Sequence, residues 1–346
     1  MKPDMTKPAH TRRKSILLAQ EALVHERFLN DRRLPLVFEP AIDGLSLAAW
    51  AKANHELIDQ KLLQSGAILF HGFNLRTVEA FEEFMLVLTG ELLEYSYRST
   101  PRTKVSGRIY TSTEYPAHQT IPLHNEMSYT RQWPMRLGFF CVTPAEEGGE
   151  TPIADSRRVF DNIEPAIRDR FSREQVSYVR NYGEALDLPW QDVFQTDDRA
   201  EVEEFCRQAR IEFEWRGDDL RTSQVCQAVA VHSITGETVW FNQAHLFHVS
   251  SLKSEIRESL MASSADDPPR NAYYGDGTVI ADNDLDQIRA AYDDAAVIFP
   301  WQKGDVLIVD NMLVAHGRRP YRGARQIVVG MGQPYGVDQA GPKDVS

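Results

Sequence analysis

Apolar residues along the chain fall into two rhythms. Short runs of aliphatic, β-branched and aromatic residues, closed by Gly, Pro or Asn, predict strands. They are AILFHGF (67–73), RLGFFCV (136–142), VSYVRNY (176–182), AVAVHSI (228–234), TVWFN (238–242), DVLIVDN (305–311) and RQIVVGM (325–331). Gly236, in the short link between the fourth and fifth runs, predicts a hairpin. Apolar positions at three- and four-residue spacing predict helices over Val78–Leu88, Asp161–Phe171, Ala200–Ala209, 251–263 and 284–294. Residues 1–30 read as an N-terminal extension with a short helix, 31–336 as a single domain, and 337–346 as a polar tail. Strands crowd both ends of the globular part and helices lie between them, unlike a regular βαβ alternation. The pattern predicts a β-rich α+β domain: a double-stranded β-helix (jelly roll) core with helical insertions.

Composition narrows the function classes. Of 346 residues, 42% are hydrophobic and 25% charged, ordinary values for a globular chain. The formal net charge of -12 argues against nucleic acid or an anionic membrane surface as partner. No apolar run approaches the roughly 20 residues that span a bilayer. The N-terminus lacks the apolar stretch of a secretory signal, so a cytoplasmic location is expected. Cys141, Cys206 and Cys226 form no CxxC pair and read as reduced, buried thiols. GxGxxG, GxxxxGK[ST] and GxSxG are absent, which leaves nucleotide cradles and a serine nucleophile elbow unsupported.

The segment IPLHNEMSY (121–129) carries the most chemistry. In a strand, His124 and Glu126 point to one face, so an imidazole and a carboxylate can converge on a divalent transition metal. Alone, such a pair is more often an exposed strand edge. A third ligand must come from elsewhere. Of the ten histidines, His316 has the most suggestive setting, since it directly follows the strand-like run VLIVDNMLVA and opens the turn HGRRPYRGARQI. Together the three would form a facial triad that leaves positions open on an octahedral iron. A second cluster, WFNQAHLFH (240–248), offers Asn242 as a candidate substrate contact, with Gln243, His245 and His248 as pocket-lining or supporting groups. His245 and His248 share a helix face, yet no carboxylate accompanies them.

The segments PLHNEMSY, GGETPIADSR and DNMLVAHGRRPYRGARQIVVGM resemble the Fe(II)/2-oxoglutarate dioxygenases of the taurine dioxygenase and clavaminate synthase-like superfamily. The likeness spans about residues 34 to 334 and is greatest to the branch with HxE, which includes amino-acid hydroxylases of natural-product pathways such as the syringomycin-type enzyme. It implies Fe(II), 2-oxoglutarate and O2, with His124, Glu126 and His316 as iron ligands. It also implies that Thr151 hydrogen-bonds the far carboxylate of 2-oxoglutarate and that Arg325 pairs with it. A guanidinium suits that role because it grips a carboxylate bidentately and stays charged when buried. Arg318, Arg319 and Arg322 are the alternatives, and a one-residue shift would put Gln326 there instead.

Halogenating relatives lack the carboxylate ligand, so Glu126 implies hydroxylation, or a related desaturation or cyclisation. Members acting on small free acids carry a second arginine four residues after the first; here that position is Val329. The departure points to an amino-acid substrate with a masked carboxylate, for example one tethered to a carrier protein, or to an anchor elsewhere, from Arg98, Arg102 or Arg108. Arg318, Arg319 and Arg322 would offer an acidic carrier a local basic patch. A small-molecule substrate fits equally, and no oligomeric state is set. Two other readings stand beside this one: a metal-dependent hydrolase using the same ligands, with no need of Thr151 or Arg325, and a non-catalytic jelly-roll binding protein.

Overall fold

Four of the apolar strand runs (67–73, 136–142, 305–311 and 325–331) pair within the larger of two facing sheets in a computed structural model that describes residues 23–94, 103–112, 115–182, 188–255, 257–258 and 268–337. The larger sheet runs Val24–Phe28, Leu36–Pro40, Ala67–Phe70, Val306–Asp310, Gln132–Thr143, Gln326–Gly336, Ile109–Thr111 and Lys104–Ser106 in spatial order. Its pairings are antiparallel except that of Leu36–Pro40 with Ala67–Phe70. The smaller sheet runs Ala296–Val297, Ile153–Asp155, Val314–Arg318 and Ile121–His124. Between them, Leu137, Phe139, Leu307, Val309 and Ile327 of the larger sheet share one core with Ile153, Val297 and Val314 of the smaller. This is the jelly roll.

Strand Val306–Asp310 shows why its run is continuously apolar. Leu307 and Val309 face the smaller sheet, while Val306 and Ile308 join Phe70, Phe81, Phe84 and Met85 on the opposite face. Helix Val78–Thr89 supplies that outer layer. Its start is capped by the Thr77 hydroxyl, which accepts from the Ala80 N–H at 3.2 Å. A third unit, between the two halves of the roll, packs a sheet of Glu212–Arg216, Asp219–Cys226, Val176–Tyr182 and Arg270–Tyr274 against helices that include Asp282–Ala295. Leu285, Ile288, Ala291, Tyr292 and Ala295 form the buried stripe of that helix. The predicted hairpin forms, with Val231 opposite Thr238.

Several expectations change. Strand Val24–Phe28, inside the stretch read as an extension, pairs with Leu36–Pro40 along the rim of the larger sheet. The single helix predicted over Asp161–Phe171 is two, Ser156–Asn162 and Pro165–Glu174, because Pro165 forces the preceding Glu164 out of helical conformation. The run VLIVDNMLVA is not one strand. It turns at Asn311–Leu313, where the Asp310 carboxylate accepts from the Met312 and Leu313 N–H groups, and Val314–Arg318 joins the other sheet. The helix predicted over 251–263 falls partly, at 256 and 259–263, outside the described residues, as does the tail from 338. Among the described residues, no helix is long and apolar enough to cross a membrane.

Candidate active site

Strand pairing brings the two histidines together. His316, in the middle of Val314–Arg318, lies directly opposite His124 at the end of Ile121–His124. Their rings are 4.6 Å apart between centroids. Gly317 lets the strands approach this closely, since a Cβ there would sit 2.6 Å from the Ile121 carbonyl oxygen. His124 Nδ1 donates to the Pro122 carbonyl at 2.8 Å, which leaves Nε2 with its lone pair.

Glu126 reaches the same point by a different route from the one its spacing implies. The strand ends at His124, and Glu126 lies in the turn beyond it. Asn311 accounts for this. Its Oδ1 accepts from the Glu126 N–H at 2.7 Å and its Nδ2 donates to the Glu126 carbonyl at 2.9 Å. Both backbone groups of Glu126 are therefore withdrawn from ladder pairing. The next residue, Met127, takes a positive φ of 56°, rare for a residue with a side chain, and reverses the chain. The result places Glu126 Oε2 3.8 Å from His316 Nε2. One donor atom from each of His124, Glu126 and His316 lies within 4.8 Å of the others, with Glu126 and His316 buried. Two imidazoles and one carboxylate at this mutual distance suit one divalent transition metal.

A cavity opens beside the triad, lined by Ser112, Phe139, Thr151, Arg318, Arg325, Ile327 and Val329 as well as both histidines. Arg325 stands just before strand Gln326–Gly336 and is inserted under the Gly148–Gly149 turn. Its Nε donates to the Gly149 carbonyl at 2.9 Å. A Cβ on Gly149 would meet the Arg325 side chain at 2.9 Å, and φ there is +73°. No carboxylate pairs with Arg325 among the described residues. Burial, then the charge of Arg318, pulls its guanidinium down to about 10. The cavity is thus lined by a cation still charged at neutral pH, a group suited to an anion. Gln326, the one-register alternative, is exposed.

Thr151 is buried at the same wall. The Trp301 indole N–H donates to its Oγ1 at 3.0 Å, so the threonine hydroxyl hydrogen is left for another acceptor. Arg318 is a wall group of another kind. It is buried and donates to the carbonyls of Tyr115, Pro116 and Gln119 at 2.9, 2.7 and 3.0 Å. Of the three arginines expected to form a basic surface patch, Arg318 is turned inward instead, while Arg319 and Arg322 are exposed, Arg322 within 3.4 Å of Glu147.

The remaining candidates separate. Arg98 and Arg102 lie outside the described residues. Arg108 bonds the Leu92 carbonyl. Asn242 donates to the Ala228 carbonyl at 2.8 Å and accepts from the Ala244 N–H at 3.0 Å, a structural engagement away from the cavity lining. His245 and His248 form no metal pair: His245 Nε2 donates to the Leu123 carbonyl, and His248 Nδ1 accepts from the Ser250 N–H. Burial lowers His245 to about 3, so it is neutral. Asn311 and Trp301 were invisible as site residues in the sequence, since neither has a chemically reactive side chain or a telling spacing.

Comparison with known proteins bears on this geometry. The family described as taurine catabolism dioxygenase TauD, TfdA matches residues 30–331. The dapdiamide synthesis protein DdaC of Enterobacter agglomerans is 43% identical over 283 residues, 81% of this chain and 86% of that protein. The clavaminate synthase-like protein At3g21360 of Arabidopsis thaliana is 28% identical over 335 residues, 91% and 98% of the two chains. Among solved structures, PvcB of Pseudomonas aeruginosa shares the fold with a TM-score of 0.52 at 14% identity, over 89% of this chain and 90% of that one.

Proposed function

The chain belongs to the TauD, TfdA dioxygenase family, and from that premise we propose that this Fe(II)- and 2-oxoglutarate-dependent oxygenase hydroxylates an unactivated C–H bond of an amino acid or amino-acid derivative. His124, Glu126 and His316 hold the iron, and Thr151 and Arg325 hold the far carboxylate of 2-oxoglutarate. Iron held there would activate O2, which is the oxidant; 2-oxoglutarate would give up two electrons, so that one oxygen atom goes to it and the other into the C–H bond. The protein's own part is positional. The Pro122 carbonyl fixes the His124 tautomer. Asn311 fixes the Glu126 backbone. Trp301 turns the Thr151 hydroxyl into a donor, and the Gly149 carbonyl aims the Arg325 fork. Phe139, Ile327 and Val329 line the cavity with apolar surface that excludes water.

The observation that carries the reading is the triad within 4.8 Å beside a half-buried arginine with no carboxylate ion pair among the described residues. A zinc hydrolase on the same ligands has no use for that cation. On the substrate, the dapdiamide-synthesis relative supports an amino-acid-derived molecule in a natural-product pathway. The apolar Val329 in the cavity wall supports a masked carboxylate, as in a carrier-protein-tethered substrate. Three buried, unpaired cysteines support a reducing compartment, the cytoplasm.

Anaerobic titration with Fe(II) and 2-oxoglutarate tests the assignment. Wild type should develop the weak visible charge-transfer band of the chelate. His124→Ala should abolish it, and Arg325→Ala should demand more 2-oxoglutarate to reach it. A folded, metal-replete wild type without the band would sink the reading.

A further inference from the structure

We propose that Gln243 and His245, on one short helical turn of the inserted unit, are positioning residues that hold the backbone on both sides of His124 and so set its imidazole against Glu126 and His316. The inference rests on the reading of those three side chains as metal ligands.

Strand Ile121–His124 is the last strand of the smaller sheet and pairs only on its Val314–Arg318 side in the described strand order. Its outer edge therefore presents backbone carbonyls with no neighbouring strand to receive them. Carbonyls two residues apart in an extended chain point to the same edge. Those of Leu123 and Asn125 are two apart, on either side of His124. His245 Nε2 donates to the Leu123 carbonyl at 3.0 Å. Gln243 Nε2 donates to the Asn125 carbonyl at 2.8 Å. Both side chains come from the segment that opens helix Ala244–Phe247, so one rigid piece supplies the two donors a next strand would have supplied.

The piece is itself held from behind. The His245 ring stacks on Tyr292 at 4.6 Å between centroids, and its own carbonyl accepts from Arg289 Nη2 at 2.9 Å. The Gln243 N–H donates to the Tyr178 hydroxyl at 2.7 Å. Tyr292 and Arg289 belong to helix Asp282–Ala295, and Tyr178 to strand Val176–Tyr182. A purely space-filling position would gain by being apolar, because a buried polar group without a partner is costly. Yet His245 is kept with its Nδ1 unpartnered among the described residues, while its other nitrogen serves the ligand strand. The Asn311 clamp on Glu126 completes the fixation from the opposite side.

Co(II) binding to the full-length protein, followed by its ligand-field absorption, tests the proposal without turnover. His245→Phe keeps the ring and removes the donor. His245→Gln returns a donor near Nε2. Gln243→Met keeps length and removes the other donor. Loss of groups that orient metal ligands commonly weakens affinity about 10–100-fold, the loss expected for His245→Phe and Gln243→Met, with His245→Gln recovering most of it. Wild-type affinity in folded His245→Phe or Gln243→Met would overturn the proposal, and so would a His245→Gln as weak as His245→Phe. If His245→Phe fails to fold, Gln243→Met decides alone. A wild type whose Co(II) spectrum is unchanged by His124→Ala would instead overturn the metal assignment itself.

Discussion

The Thr151 hydroxyl has one hydrogen to give, and Trp301 has already decided where it cannot go. An indole N–H at 3.0 Å occupies an acceptor lone pair of Oγ1, leaving the O–H as donor toward the cavity that Thr151 lines. A hydrogen bond to a charged group contributes about 1.5–3 kcal/mol. Thr151→Val should therefore raise the KM for 2-oxoglutarate by roughly 10–100-fold with kcat at saturation little changed, from the conversion of about 1.4 kcal/mol per factor of ten. Trp301→Phe, which frees the hydroxyl to rotate, should give a smaller rise of the same kind. Succinate formation against 2-oxoglutarate concentration checks both, and an unchanged KM in Thr151→Val would remove that residue from the site. Residue types and spacing made His124, Glu126 and His316 legible as ligand candidates, and the family resemblance added Thr151 and Arg325. They did not make Trp301 legible, because a tryptophan in an apolar stretch reads first as core.

At the scale of elements, the strand pair Ile121–His124 and Val314–Arg318 is the part on which the site depends. Gly317 sits in the register shift between these two paired strands, tight against the Ile121–Leu123 backbone. An added Cβ would meet the Ile121 carbonyl at 2.6 Å, the Pro122 carbonyl carbon at 3.2 Å and the Leu123 nitrogen at 3.3 Å. Backbone cannot rotate aside as a flexible side chain can, so Gly317→Ala must separate the strands that carry His124 and His316. Overpacking of this kind commonly costs about 1–3 kcal/mol. The expected outcome is a folded protein with a lowered melting temperature and strongly weakened Co(II) binding, read by thermal denaturation and metal titration. Retained affinity would show that the register tolerates the shift. Apolar periodicity found the strands but not their sheets. VLIVDNMLVA looks continuous, and only the Asp310 side-chain bonds to Met312 and Leu313 N–H groups show that it crosses from one sheet to the other.

For the whole molecule, the proposed role of the half-buried Arg325 would tie cosubstrate binding to stability. Its guanidinium is held below its usual range by partial burial and by Arg318, so an anion bound against it would relieve a partly desolvated charge. A ligand at about 100 times its Kd stabilises the folded state by about 2.7 kcal/mol. With redox-inert Mn(II) present, 2-oxoglutarate should raise the melting temperature of wild type, and that increment should vanish in Arg325→Ala. An equal increment in the variant would place the cosubstrate elsewhere. The sequence by itself determined the strand and helix content, the acidic balance and the kinds of donor available to a metal, because these follow from local periodicity and side-chain chemistry. Tertiary structure alone decided that Glu126 leaves its strand, that Arg318 faces inward, and that Gln243 and Asn311 grip the ligand segment from 118 and 185 residues away. Hydrogen bonds across such separations leave no mark on local pattern, since any polar residue at those positions reads the same until folding brings its partner within 3 Å.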